Sequence, residues 1–208
     1  MINRRTFAVA ALAAGLLGAP LARAAGDPAG DPEKWMLDVS EDIIAAIKAD
    51  AKIAQADPEH VRRFVTEKIM PTVDFLRITR SSVGPKWRQA TPDQKEELQT
   101  LFRELLTRVY SGALAAVKDQ TVKLAPNRVK PTETDALVRT LMVAPGKPDI
   151  HIDYRLKKLD GRWRIIDVDV EGVWLVENYR SQFAGIVNGS GIEGLVKALR
   201  EKTQAAGK

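Results

Sequence analysis

A chain of 208 residues is long enough for one domain with a sizeable core and short for two, so a single globular unit is expected. Hydrophobic residues make up 45% and charged residues 28%, which excludes a disordered chain and an integral membrane protein. The formal charge is +5 and cysteine is absent, so neither a disulfide nor a lipid-anchored cysteine enters the account.

The first two dozen residues read as a secretory signal. Arg4 and Arg5 precede an apolar run from Phe7 to Leu17, and Ala22-Arg23-Ala24 supplies a small-x-small cleavage site. The run is too short to span a bilayer permanently, so cleavage after Ala24 is expected, with residues 25–208 as the mature domain. Asn3-Arg4-Arg5-Thr6-Phe7 also resembles a twin-arginine signal, and the export route stays open. Losing three arginines and no acid takes +5 to +2, which removes the main support for a nucleic-acid partner.

Gly26, Asp27, Pro28, Gly30 and Asp31 make a turn-rich start, and the fold is expected from near Pro32. Trp35, Met36, Val39, Ile43, Ile47, Ala51 and Ala54 then recur at helical spacing behind an Asp31 cap. A second, short helix follows Asp57-Pro58-Glu59 and carries Val61, Phe64, Val65 and Ile69, with Pro71 ending it. A third is expected from about Thr72 to Gly84-Pro85. The clearest opens at Thr91-Pro92-Asp93-Gln94, a capping-box pattern, and continues to about Lys118. Its apolar residues come in adjacent pairs from Leu98 to Val117, a wide stripe that faces a core or a cavity.

After Gln120 the period changes to two. Val122 and Leu124, then Leu137 to Val143, then Ile152, Tyr154 and Leu156 mark strands, and Asp160-Gly161 reads as a hairpin turn before Trp163 to Glu171. In that last strand Ile166, Val168 and Val170 are expected on the packed face, with Asp167, Asp169 and Glu171 on a wet one. Helical spacing returns at Val173, and Ser190-Gly191-Ile192-Glu193 is a second capping-box pattern opening a terminal helix. Helices, then strands, then helices give an α+β fold, a curved antiparallel sheet with a helical layer on one side.

The chemical inventory is sparse. His60 and His151 each stand alone, metal-ligand spacings are missing, and no nucleophile elbow, phosphate loop or dinucleotide fingerprint occurs. Asp167, Asp169 and Glu171 on one strand face can share protons or hold a cation, yet Arg155 and Lys157 on the partner strand favour a charge-paired outer face. No catalytic residue, metal or cofactor is assigned.

Three stretches resemble a known family. They are Pro71-Thr72-Val73-Asp74-Phe75 continuing through Val83-Gly84-Pro85-Lys86-Trp87-Arg88-Gln89-Ala90-Thr91-Pro92, then Trp163 to Val173, then Asn178 to Phe183 with Gly191-Ile192-Glu193-Gly194-Leu195. In this order they resemble the periplasmic phospholipid-binding proteins of the MlaC type, also called the toluene-tolerance auxiliary family. The resemblance implies a sheet related to the nuclear-transport-factor fold, with helices enclosing an apolar pocket for a glycerophospholipid. It also implies shuttling through the periplasm between an outer-membrane lipoprotein-porin complex and an inner-membrane ABC transporter with its membrane-anchored lipid-binding subunit, in the service of outer-membrane lipid asymmetry.

On this reading the pocket is lined from the helices by Phe75, Leu76, Phe102, Leu105, Leu106 and Val109, and from the sheet and beyond by Ile166, Val168, Val170, Val173 and Tyr179. Trp174 departs from the family pattern, which bears on the pocket's shape. Two rival readings remain: an enzyme on the same fold, which needs a carboxylate inside the apolar pocket, and a cargo-free structural adaptor.

Overall fold

The computed structural model describes residues 26–204; the secretion signal read from the sequence lies outside the described residues. Helix α1 spans Pro32–Lys48, with Asp31 Oδ1 accepting the Lys34 N–H at 2.8 Å. It stops six residues short of Ala54 because Asp50 caps a separate turn, α2 (Ala51–Ala54), by accepting the Lys52 N–H. Aspartate favours a cap over a helix interior, and this interrupts a periodicity that the apolar residues carry straight through. Helix α3 (Pro58–Phe64) opens on Asp57 and passes into a π-helical turn, Val65–Ile69, then a 3₁₀ turn, Met70–Thr72. Helix α4 (Phe75–Val83) is capped by Asp74, and a 3₁₀ stretch Gly84–Gln89 leads to α5 (Pro92–Ala115). The Thr91–Gln94 capping box of α5 is closed by bonds of 3.0 and 3.2 Å.

Among the described residues the sheet is an antiparallel meander, β1-β2-β3-β4-β5, of Thr121–Leu124, Asp135–Val143, Ile150–Leu159, Arg162–Val170 and Val173–Trp174. The fold is thus α+β, as expected. Asp160 and Gly161 take φ of 49° and 75° and make the β3–β4 turn. Glu171 and Gly172, at 54° and 85°, make a second such turn that the sequence reading did not anticipate; it folds Val173 back onto Val170 as a strand residue, so the final helix α6 begins at Leu175. Helix α6 runs to Gln204 and bends at Gly191, whose φ of 67° and ψ of −168° suit glycine alone. There Glu193 accepts from Gln94 Nε2 at 3.1 Å, tying the bend to α5.

The facing of β4 corrects the sequence reading. Leu156 pairs with Ile165 and Arg155 with Asp167, so Ile166 is the extra residue of a β-bulge. The packed face is therefore Trp163, Ile165, Val168 and Val170, opposite Lys158, Leu156, Tyr154 and Ile152 of β3. Asp167 and Asp169 do take the other face, but they are buried rather than wet. Asp167 Oδ1 accepts the N–H groups of Val168 and Val176, each at 3.0 Å, and Oδ2 accepts from Arg155 at 3.0 Å. Asp169 Oδ1 accepts the Gly172 N–H at 2.8 Å, while Glu171 stays exposed. Lys157 pairs with Asp135 on β2 instead of reaching β4.

The buried residues fall into three separate groups. One joins α4, the Gly84–Gln89 stretch, α5 and α6; a second sets α1 on the sheet through Trp35, Met36 and Val39 against Val138, Leu156 and Ile165; a third gathers Ile47, Ile53, Val61 and Phe64. Half-buried Val73 links the first to the second and Ile43 the second to the third. Val73 also forms a parallel bridge to Ile165, which fastens the start of α4 to the free edge of β4. Residues before α1 are already structured, since Trp163 donates from N to Pro28 O at 2.7 Å and from Nε1 to Gly30 O at 2.9 Å.

Candidate functional site

Helix α5 packs on α2, α3, α4 and α6, while the sheet receives α1, α4 and the first turns of α6. The stripe of α5 is consequently packed at both ends and most exposed between them. Leu98, Leu101 and Phe102 are buried, Leu105 and Leu106 are half-buried, and Val109 is 55% exposed. Phe102 is the hub of the closed end, its ring centroid 4.9 Å from Tyr179, 5.2 Å from Phe183 and 5.7 Å from Phe75. Burial pushes the Tyr179 phenol up to about 12, with the Tyr110 phenol beside it adding to the shift. Beyond this hub Leu76 of α4 is 52% exposed.

The sheet shows the same gradient. Trp163 and Ile165 are buried, Val168 is half-buried against the α1 group, Val170 is 44% exposed and Val173 is 57% exposed. Leu114 and Val117, at and just past the end of α5, pack on the third group. The exposed apolar side chains Leu76, Val109, Val170 and Val173 belong to none of the three groups. Large apolar side chains that keep accessible surface on two layers are what a ligand cavity requires.

Of the eleven residues read from the sequence as lining, Phe102 and Tyr179 belong to the closed helical core, with Phe75, Leu105 and Leu106 at its edge. Leu76, Val109, Val170 and Val173 are exposed, Val168 is half-buried on the packed sheet face, and Ile166 sits at the bulge. Tyr154 and Ile152 share the face of Val168 and Val170 and were not among the residues read as lining, though they alternate with Leu156 in the sequence. Trp174 lies with Asp169 on the outer face, where the Arg155 guanidinium stacks 3.7 Å from its ring centroid, so its bulk is directed away from Val173.

The titratable groups cluster elsewhere. Asp153 and Asp169 face each other across β3 and β4, and burial, opposed by Arg139, raises the Asp153 carboxyl above its usual range. Burial likewise raises Asp167, against the pull of its two N–H donors and Arg155. All three lie on the face opposite Val168. His60 bridges Asp50 and Arg63 at the α2–α3 junction, and His151 is exposed. An open depression of about 580 Å³ beside the β3–β4 turn is lined by Asp74, Asp160, Arg162 and Arg164 with Val73 and Leu159, a charged setting unsuited to apolar cargo. No group of three or more potential metal ligands occurs among the described residues.

A helical layer and a meander sheet that both leave large apolar side chains exposed, with the carboxylates on the far face of the sheet, suit a binding protein for an apolar ligand better than a charged one. The family profile described as MlaC protein matches residues 37–201, and the chain belongs to that family. It is 21% identical over 173 residues to the Haemophilus influenzae intermembrane phospholipid transport system binding protein MlaC, covering 82% of this chain and 81% of the relative. It is 24% identical over 182 residues to the Pseudomonas putida toluene tolerance protein ttg2D, covering 84% of each. A solved phospholipid-binding protein from Ralstonia solanacearum, in complex with a phospholipid, superposes with a TM-score of 0.81 at 36% identity over 86% of this chain and all of that one.

Proposed function

We propose that this protein carries a glycerophospholipid across the aqueous space between two membranes, its acyl chains held between α5 and the sheet and its headgroup near solvent. The observation that carries this reading is the α5 stripe, which seals on α6 at Phe102 and is left open from Leu105 to Val109. Two chains of roughly sixteen carbons need about 25 kcal/mol of shielding at about 0.8 kcal/mol per methylene, which a shallow groove does not supply. Membership of the MlaC family and likeness to a phospholipid-bound relative support the same cargo.

The finer parts of the proposal follow from the family resemblance and the sequence. Residues 1–24 act as a cleaved signal, residues 25–208 form one domain, and the site of action is the periplasm. Its partners are an inner-membrane ABC transporter complex and an outer-membrane lipoprotein-porin complex. The proposed lining is Phe75, Leu76, Leu105, Leu106 and Val109 from the helices with Val168, Val170 and Val173 on the sheet side, while Phe102 and Tyr179 stay in the closed core. An enzymatic reading is disfavoured because Asp167 and Asp169 lie behind the sheet, away from Val168. Mass spectrometry of organic extracts from the purified mature protein tests the proposal: about one glycerophospholipid per chain is expected, and protein recovered from lipid-rich cells without lipid overturns it.

A further inference from the structure

The positive charge of this chain is gathered at one corner. Residues 75–92, which run through α4 and the 3₁₀ stretch to the first residue of α5, contain Arg77, Arg80, Lys86 and Arg88 and no carboxylate. Residues 25–208 carry +2 in all, so this segment carries +4 and everything else −2. Arg180 of α6 joins the same corner: α4 packs on α6, and a Cβ added to Gly84 would lie 3.7 Å from the Arg180 Nε. Arg80 comes one turn before Gly84, and Lys86 and Arg88 follow it closely, so the cations surround that glycine.

Only Arg77 is compensated, by Asp74 at 3.6 Å. Arg80, Lys86, Arg88 and Arg180 are all exposed, and among the described residues none of them makes an ion pair, not even Arg180 with Glu177 one turn before it. The outer face of the sheet is built the other way, with Arg139 on Asp153, Arg155 on Asp167 and Lys157 on Asp135. Uncompensated like charges repel one another, and an anionic surface laid over them removes that cost.

A protein partner is recognised by charges of both signs, which fix its register, whereas a patch of one sign suits a surface that is anionic everywhere. Apolar surface reaches the same corner. Helix α4 turns Ile78, Thr79, Ser82 and Val83 inward, and Leu76, 52% exposed, stands one turn before Arg80 on the outward side. Cations beside an exposed leucine are the composition of a membrane-surface contact.

We infer that the corner formed by Arg80, Lys86, Arg88 and Arg180 docks this protein on anionic phospholipid membranes. The inference goes beyond the carrier reading, since it concerns the surface the protein settles on and not the cargo it holds. Each lysine or arginine near an anionic bilayer raises the partition about five-fold, so four together raise it about 600-fold. Screening within a Debye length of about 8 Å at physiological salt keeps such docking reversible.

The test is co-sedimentation of the purified protein with vesicles of phosphatidylcholine alone and of phosphatidylcholine mixed with phosphatidylglycerol. Lipid per chain, counted by mass spectrometry before mixing, tests the carrier reading separately. Binding is expected on the phosphatidylglycerol vesicles alone, and it is expected to vanish at about 1 M salt, where the Debye length is about 3 Å. Arg80→Gln with Arg88→Gln changes two exposed side chains, is expected to keep the wild-type thermal midpoint, and is expected to weaken binding about 25-fold. Arg128→Gln with Lys147→Gln removes the same charge from exposed loops of the sheet and is expected to change binding less than about two-fold. Equal losses in the two variants, or binding to neutral vesicles that survives high salt, overturn the docking corner. A wild type that ignores anionic vesicles overturns the membrane contact, and its retention on immobilised polyglutamate through Arg80 and Arg88 would assign the corner to an acidic protein instead.

Discussion

The backbone N–H of Val176 donates to Asp167 Oδ1 at 3.0 Å, tying the first turn of α6 to the middle of β4. The same oxygen accepts the Val168 N–H, so one buried carboxylate fixes the angle at which α6 leaves the sheet. Replacing it with alanine strands two donors, and Asp167→Ala is expected to cost about 1–3 kcal/mol in urea unfolding.

Asp167→Asn separates charge from hydrogen bonding, because the amide oxygen still accepts. Burial raises the native carboxyl above its ordinary value of 3.8, so the folded state holds the proton more tightly than the unfolded state. The contribution of Asp167 is therefore greatest below 3.8 and declines as pH rises through the raised value. Unfolding free energies measured across that window are expected to fall in the wild type relative to Asp167→Asn; the opposite trend would show that the Arg155 pair outweighs burial.

Phe102 and the exposed apolar side chains beyond it should respond differently to truncation. Phe102→Ala removes a fully buried ring from contact with three others and is expected to cost about 3–5 kcal/mol in denaturant unfolding. Leu76→Ser and Val109→Ser alter exposed side chains and are expected to cost less than about 1 kcal/mol, while lowering the lipid retained through purification.

These contrasts also mark what the sequence makes legible. Caps at Asp31, Asp57 and Thr91 were readable because a short polar side chain before a periodic run has one good use. The facing of Val168 and Val170 was readable too, but that of Trp163, Ile165 and Ile166 was not, since the bulge at Ile166 shifts parity and nothing in the alternation from Trp163 to Glu171 announces it. Glu171-Gly172 is a turn of the same kind as Asp160-Gly161, but helical spacing from Val173 onward concealed it. The helical half of the proposed lining was read from the width of the α5 stripe. Tyr154 was not read as lining, because a tyrosine in an alternating strand looks the same whether it meets a core or a cavity.

With the buried carboxylates behind the sheet, bound phospholipid is expected to survive prolonged incubation intact. Thin-layer or mass-spectrometric detection of stoichiometric fatty acid or lysolipid, abolished by Asp167→Asn or Asp169→Asn, would favour the enzymatic reading.

The mature protein, expressed with its first 24 residues and recovered from the periplasm, is expected to begin at Ala25. Intact-mass measurement checks this, and a product that retains the N-terminal segment would contradict the secretory reading.

The most direct test concerns Leu106 on α5 and Val168 on β4, which pack on different groups, one on the helical core and the other on the α1–sheet core. If lipid lies between them, changing both to tryptophan fills the space and expels cargo; in a closed core the same enlargement costs about 1–3 kcal/mol at each site. Co-purified lipid per chain and the thermal midpoint are measured together for wild type and Leu106→Trp/Val168→Trp, with lipid-free protein as the stability reference because bound ligand raises the midpoint by itself. The account predicts a double variant that stays folded and has lost most of its lipid. A double variant that keeps its full lipid load, or that unfolds even with excess lipid supplied, contradicts it.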